Sequence, residues 1–170
     1  FAHESATCVR TKDGRVAVYS GDDKAGEFLY KFISESKDSL EKGELFVADI
    51  KNGKWISMDF NKHESLRKNF KDQTDVLIHA RRAGRLLGAT HLDRPEDIEV
   101  HPVTGDIFVC LTNNKKMGNY HGKILKISEK AKDYGSKEFS SSDFLMGGKD
   151  LSCPDNMLFD KQGHLWVATD

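Results

Sequence analysis

DRPEDIEVHPVTGDIFVCLTNN, residues Asp93–Asn114, opens on an arginine, a proline and three acids and then runs into two apolar stretches separated by one turn. Thr104-Gly105 is a hairpin signal, because glycine reaches positive φ at no steric cost. The hairpin ends in Asn113-Asn114. Two other stretches follow the same grammar: CVRTKDGRVAVYSGDD, Cys8–Asp23, turning at Asp13-Gly14, and MLFDKQGHLWVATD, Met157–Asp170, turning at Gln162-Gly163. Each has a short strand, a turn closed by glycine, a longer β-rich strand and a polar end. Degenerate hairpins that recur along a chain are the mark of a repeat architecture. Short antiparallel strands with an aromatic or glycine per unit point to blades of a β-propeller. The expected fold class is therefore all-β: a partial β-propeller of several blades, with one inserted α-helix.

Between the hairpins lie FLYKFIS (28–34), GELFVADIKNGKWISMD (43–59), with Asn52-Gly53 read as a two-residue turn, and the strand GKILKISEK (122–130). Residues 61–90 break the pattern. Val76, Leu77, Ala80, Ala83 and Leu87 have helical spacing, with Asp72 and Asp75 near the start and Gly88 just past the end. The spacing predicts one helix over Asp72–Leu87. Residues 133–150, DYGSKEFSSSDFLMGGKD, read as a loop, and the basic runs NNKK and HARRAGR as solvated surface.

The 170 residues make one domain with a real core, 1–170. A net charge of −1 gives no electrostatic case for nucleic acid or an anionic membrane. No run reaches the ~18 apolar residues of a membrane span. The first residue is Phe1 and the last run, LWVATD, is strand-like, so the chain is expected to be a segment of a longer protein. Cys8, Cys110 and Cys153 are odd in number and contain no CxxC, which argues against a disulfide framework. Cys8 and Cys110 lie in alternating runs and read as buried thiols; Cys153 lies in a loop.

In a propeller the inner strands converge on a central channel, so acids at the same point of successive repeats can meet. The candidates are His3 and Glu4; Asp93, Arg94, Glu96 and Asp97; Cys153, Asp155 and Asn156; and the strand ends Asp22-Asp23, Asn113-Asn114 and Thr169-Asp170. Pro95 and Pro154 fix φ beside Glu96 and Asp155. Carboxylates and amides are the oxygen donors a hard cation wants, and an arginine fork can grip a phosphate. Plainer roles stand beside these: a turn for Asp22-Asp23, an ion pair for Arg94, a loop for Asn113-Asn114. HExxH, GxSxG and Walker motifs are absent, as is Cys/His zinc spacing.

Taken in order, FAHES, VYSGDD, FLYKFIS, GELFVADI, RPEDIEVHPVTGDIFVCLTNN and CPDNMLFDKQGHLWVATD resemble the PhoX-type alkaline phosphatases over Phe1–Asp170, the helical insert (about 61–90) and the serine-rich loop excepted. The resemblance implies a six-bladed propeller hydrolysing phosphate monoesters, with Ca2+ and Fe3+ at the channel mouth and export to the periplasm or outside the cell. By position it implies that Glu4 and Glu96 are metal-ligand carboxylates, that Asp155 is a calcium-site acid, that Arg94 contacts phosphate, and that Asp22 and Asp23 stand for the family's Gly-Asp-Asp pair. Asp23 joins Glu4, Glu96 and Asp155 as a candidate metal ligand; Arg94 and Glu96 are the candidate catalytic pair. Asp97 stands where many members carry an aromatic and Asn156 where many carry glycine. The family's iron-binding cysteine lies upstream of Phe1 and has no counterpart here.

The CPDN hairpin is also similar to the gluconolactonase and regucalcin-like propellers, which bind one calcium and open lactones. A non-catalytic propeller scaffold is the third reading. Open strand edges of a partial ring raise self-association as an expectation.

Overall fold

In the computed structural model, which describes residues 2–170, the chain forms strands β1 (His3–Arg10), β2 (Val16–Asp22), β3 (Ala25–Glu27), β4 (Leu29–Ser34), β5 (Gly43–Asp49) and β6 (Lys54–Ser57). Helices α1 (Glu64–Asn69), α2 (Gln73–Ile78) and α3 (Ala80–Leu86) follow. The chain then continues through β7 (Leu92–Asp93), β8 (Pro95–Val100), β9 (Ile107–Leu111), β10 (Lys123–Glu129), β11 (Phe139–Met146), β12 (Pro154–Phe159) and β13 (Leu165–Thr169). The strands pair antiparallel into a five-stranded sheet, β1-β2-β4-β5-β6, a four-stranded sheet, β11-β10-β9-β8, the hairpin β12-β13 and the short pair β3-β7. The chain is mostly β.

The three hairpins expected from the repeated grammar are β1-β2, β8-β9 and β12-β13, and their turns close alike. Gly14, Gly105 and Gly163 have φ of +89°, +73° and +89°. Their amides donate to Thr11, His101 and Asp160 carbonyls. Each first strand also carries a register break at the same place: Glu4/Thr7, Pro95/Ile98 and Pro154/Met157. In each, three steps on the first strand face two on its partner, a one-residue β-bulge that bends the strand and re-aims a side chain.

The layers stack in chain order. Tyr19, Ile33, Phe46 and Trp55 of the five-stranded sheet pack against Ile98, Ile107, Val109 and Ile127 of the four-stranded sheet. The outer face of the first sheet, through Phe28, Tyr30 and Val47, takes the helices through Leu66, Val76, Ala80 and Ala83. The far face of the second sheet takes Met157 against Phe108, Cys110 and Ile124. β9, IFVCL, is buried at every residue because both its faces are covered. At the seam, Lys31 is 0% exposed and its Nζ lies 2.8 Å from Glu129 Oε1, which also accepts from Tyr19 (2.6 Å) and Trp55 (2.9 Å). Burial pulls the Lys31 ammonium below its ordinary value and pushes the Glu129 carboxyl above its own.

Several expectations are corrected. The single helix over Asp72–Leu87 is two, broken at His79 (φ −108°, ψ 39°), with a third, α1, before them. Asp72 caps α2 by accepting from the Asp75 amide. No proline or glycine stands at His79, and Val76, Ala80 and Ala83 on either side of the break all pack into the cluster on the outer face of the first sheet. The expected loop at 133–150 contains β11, which completes the second sheet because β10 offers it a free edge. The β5-β6 connection is longer than two residues: Asp49 pairs with Lys54, and the Asp49 side chain takes Asn52 N and Nδ2. Cys110 is buried, but Cys8 is exposed on the edge strand β1. Among the described residues no helix is long and apolar enough to cross a membrane.

Candidate active site

Two successive acids at the end of β2 organise this region. Asp22 is 0% exposed and held by the fork of Arg81, from α3, with Nε to Oδ2 at 2.7 Å and Nη2 to Oδ1 at 2.6 Å. Burial raises its carboxyl, but the Arg81 fork and the Ala2 amide outweigh that and leave it below its ordinary value. Asp23 takes a second fork, that of Arg94: Nε to Oδ1 at 2.8 Å and Nη2 to Oδ2 at 3.2 Å. The β3-β7 pair, matching Ala25 with Asp93, brings the two segments together. Arg85, also from α3, pairs with the buried Glu27. HARRAGR is thus not all solvated surface: Arg81 and Arg85 tie the insert to the β2–β3 corner. Their four-residue spacing was the available sign.

Arg94 sits at φ +58° before Pro95, and Cys153 at φ +51° before Pro154. Both prolines begin a strand at its bulge, so the acids after them, Glu96 and Asp155, occupy equivalent places. Glu96 is 3% exposed. Its Oε1 lies 2.5 Å from Arg94 Nη2, yet that oxygen accepts no well-directed hydrogen bond, because the fork is aligned on Asp23. Burial first, then Asp155 and Asp23 beside it, push the Glu96 carboxyl up to about 9, against the opposing Thr112 hydroxyl. Arg94 Nη1 reaches Asp170 at 3.2 Å. Three carboxylates, Asp23, Glu96 and Asp170, thus surround one guanidinium and push Arg94 above its ordinary value, while Asp155 lies against Glu96. The excess of negative charge and buried oxygen suits a cation.

Of the residues singled out in the sequence, Arg94, Glu96, Asp23 and Asp155 come together. Glu4 does not join them. It is exposed, and no hydrogen bond or ion pair among the described residues links its carboxylate to the cluster. It pairs with Gly21 just before the β1 bulge, so Ser5, not Glu4, holds the place of Glu96 and Asp155. His3 is exposed, near Ser20 Oγ. Asp93 serves structure: Asn114 and Asn119 donate to its two oxygens at 2.8 and 2.9 Å. The Cys153 thiol donates to the Tyr120 carbonyl and accepts from Asn113. Among the described residues no three His, Cys, Asp or Glu side chains are placed to hold a metal ion. The set therefore fits a hard cation in donor chemistry but supplies only part of its ligands, and it offers iron no thiolate or imidazole. A concavity of about 430 Å³ lined by Phe32, Glu44, Asp59 and Leu77 lies under the insert and includes none of these residues.

No curated protein matches the chain. Among solved structures, Pseudomonas fluorescens PhoX in complex with vanadate, a transition state analogue, matches with a TM-score of 0.89 and 34% identity. The match covers 100% of this chain and 39% of that one, so the chain spans well under half the length of this relative. The family model described as alkaline phosphatase PhoX matches residues 1–170, and the chain belongs to that family.

Proposed function

We propose that this chain is part of a metal-dependent phosphomonoesterase and that Arg94, Glu96, Asp23 and Asp155 belong to its active centre. The observation that carries this is the buried Glu96, crowded by two further carboxylates and an arginine fork at equivalent bulges of neighbouring sheets. Family membership and the 34% identity to a PhoX that binds vanadate support the substrate class. Asp23 orients the Arg94 guanidinium, whose planar fork suits a phosphoryl oxygen. Glu96 and Asp155 would supply oxygen ligands to a cation, with calcium the first ion to test. Bound there, a metal would neutralise phosphate charge and make water more acidic. Iron rests on the family resemblance alone, as do export of the parent protein and a place for Glu4 among the ligands.

The same reading takes the five-stranded sheet, the four-stranded sheet and the β12-β13 hairpin as successive blades of a six-bladed propeller. Face-to-face packing in chain order and the shared bulge support it. Self-association of a partial ring through open edges belongs to this proposal and is read by sedimentation.

The test is hydrolysis of an aryl phosphate by the full-length parent, with calcium and then after chelation. Turnover that disappears with the metal is expected. Glu96→Gln should lower it by about 100-fold or more, with the thermal midpoint kept. Absence of turnover at full metal loading would overturn the proposal, and full activity in Glu96→Gln would remove Glu96 from it.

A further inference from the structure

Asp97 lies beside the cluster but points its carboxylate elsewhere. Oδ1 accepts from Ser5 Oγ at 3.2 Å and from the Ile98 amide at 2.8 Å; Oδ2 accepts from the Met157 amide at 2.8 Å. Ser5 sits in the β1 bulge at φ +60°, Asp97 in the β8 bulge, and Met157 closes the β12 bulge. Thr7, at the end of the β1 bulge, adds a hydroxyl donated to the Ile98 carbonyl. One side chain thus joins the bulges of the three repeated hairpins, which no strand pairing among the described residues links directly. Glu96 is its chain neighbour, and Asp155 stands two residues before Met157.

We propose that Asp97 is a positioning residue: by tying the three bulges it sets the separation of the Glu96 and Asp155 carboxylates. This rests on the functional reading of that pair given above. The chemistry requires a carboxylate. Two N–H groups and one O–H converge on it, and only an acceptor-only group with two oxygens satisfies all three. An asparagine in its place turns an NH2 toward a backbone N–H, either that of Met157 or that of Ile98. A tie that merely stabilised the fold would change the unfolding midpoint and leave the folded molecules fully active.

The experiment compares Asp97→Asn and Ser5→Ala with wild type in the full-length parent, by steady-state kinetics per folded molecule and by amide hydrogen exchange. Asp97→Asn is expected to lower kcat about tenfold or more, in the range for residues that orient ligands, with KM kept within about twofold. Exchange should speed up about tenfold across Asp155–Met157 and stay unchanged in β9 and β10. Ser5→Ala, which removes one of three donors, should show a smaller fall in kcat. Unchanged kcat in both variants overturns the proposal, whatever the midpoints; if Asp97→Asn does not fold, unchanged kcat in Ser5→Ala does so alone. A wild-type parent without phosphatase turnover would sink the functional reading instead, and unchanged exchange at Asp155–Met157 would then still overturn the tie.

Discussion

Gly21 offers the sharpest test of how the fold places Glu96. It lies on β2 at ordinary φ, so conformational freedom is not its role. A Cβ built there would stand 2.1 Å from the Pro95 carbonyl oxygen, 2.8 Å from the Pro95 carbon and 3.2 Å from the Glu96 carbonyl oxygen. Real Cβ atoms essentially never approach closer than 3.0 Å, and the obstacle here is backbone, which cannot swing aside like a side-chain tip. In Gly21→Ala, β2 and β8 must therefore part by about 1 Å, a displacement that costs on the order of 10²-fold when imposed on catalytic groups. The overpacking should also destabilise by about 1–3 kcal/mol. Both effects are read on one preparation of the full-length parent, kcat/KM with an aryl phosphate and ΔG from urea unfolding. Gly148→Ala is the control, since nothing lies within 4 Å of its added Cβ and its φ is unrestricted; its change should stay within about 0.5 kcal/mol. Wild-type kcat/KM per folded Gly21→Ala molecule would refute the claim that this close approach seats Glu96, even if stability fell.

Other outcomes follow from the same geometry. Lys31→Met strands the Glu129 carboxylate in the seam between the sheets, where Oε2 already has no partner, and should cost about 3–5 kcal/mol in urea unfolding. Replacing both residues by apolar ones should restore most of that, and a single-variant loss below about 1 kcal/mol would contradict it. Asp22 has a folded value below its ordinary 3.8, so its contribution is present above that pH and is lost as pH falls through the lowered value. The wild-type thermal midpoint should therefore drop on the acid side more steeply than that of Arg81→Leu; parallel profiles would show that the Asp22–Arg81 pair carries none of it. Cys153→Ser keeps a donor to the Tyr120 carbonyl and should retain activity and metal content. Loss of bound metal in that variant would make the thiol a ligand.

Much of the architecture was legible because it repeats. A period-two pattern with glycine at the turn is a local property, and φ > 0 at Gly14, Gly105 and Gly163 is what their sequence context demands. The acids after Pro95 and Pro154 were visible for the same reason. The CPDN hairpin left two propeller families open, since one hairpin carries too little; a match over every residue of the chain settled the family. Other features were not local. No proline or glycine marks His79, so the helix break there had no local signal. The serine-rich 139–146 segment has weak strand character and becomes β11 because β10 needs a partner for its backbone groups.

The site divides in the same way. Residue types and their repeat positions pointed to Glu4, Glu96 and Asp155 together, with a proline written beside the last two, while Arg94 and Asp23 entered the site through the family resemblance. That Glu4 falls one place short depends on where the β1-β2 register breaks; that Arg81 reaches Asp22 from an inserted helix, and that Asp97 faces Ser5 and Met157, depend on contacts between residues 59 to 92 positions apart. Such contacts arise from the stacking of sheets, each of which buries one face against the next. Side-chain periodicity specifies which face is buried; only the packed layers specify which residue of the neighbouring sheet it meets.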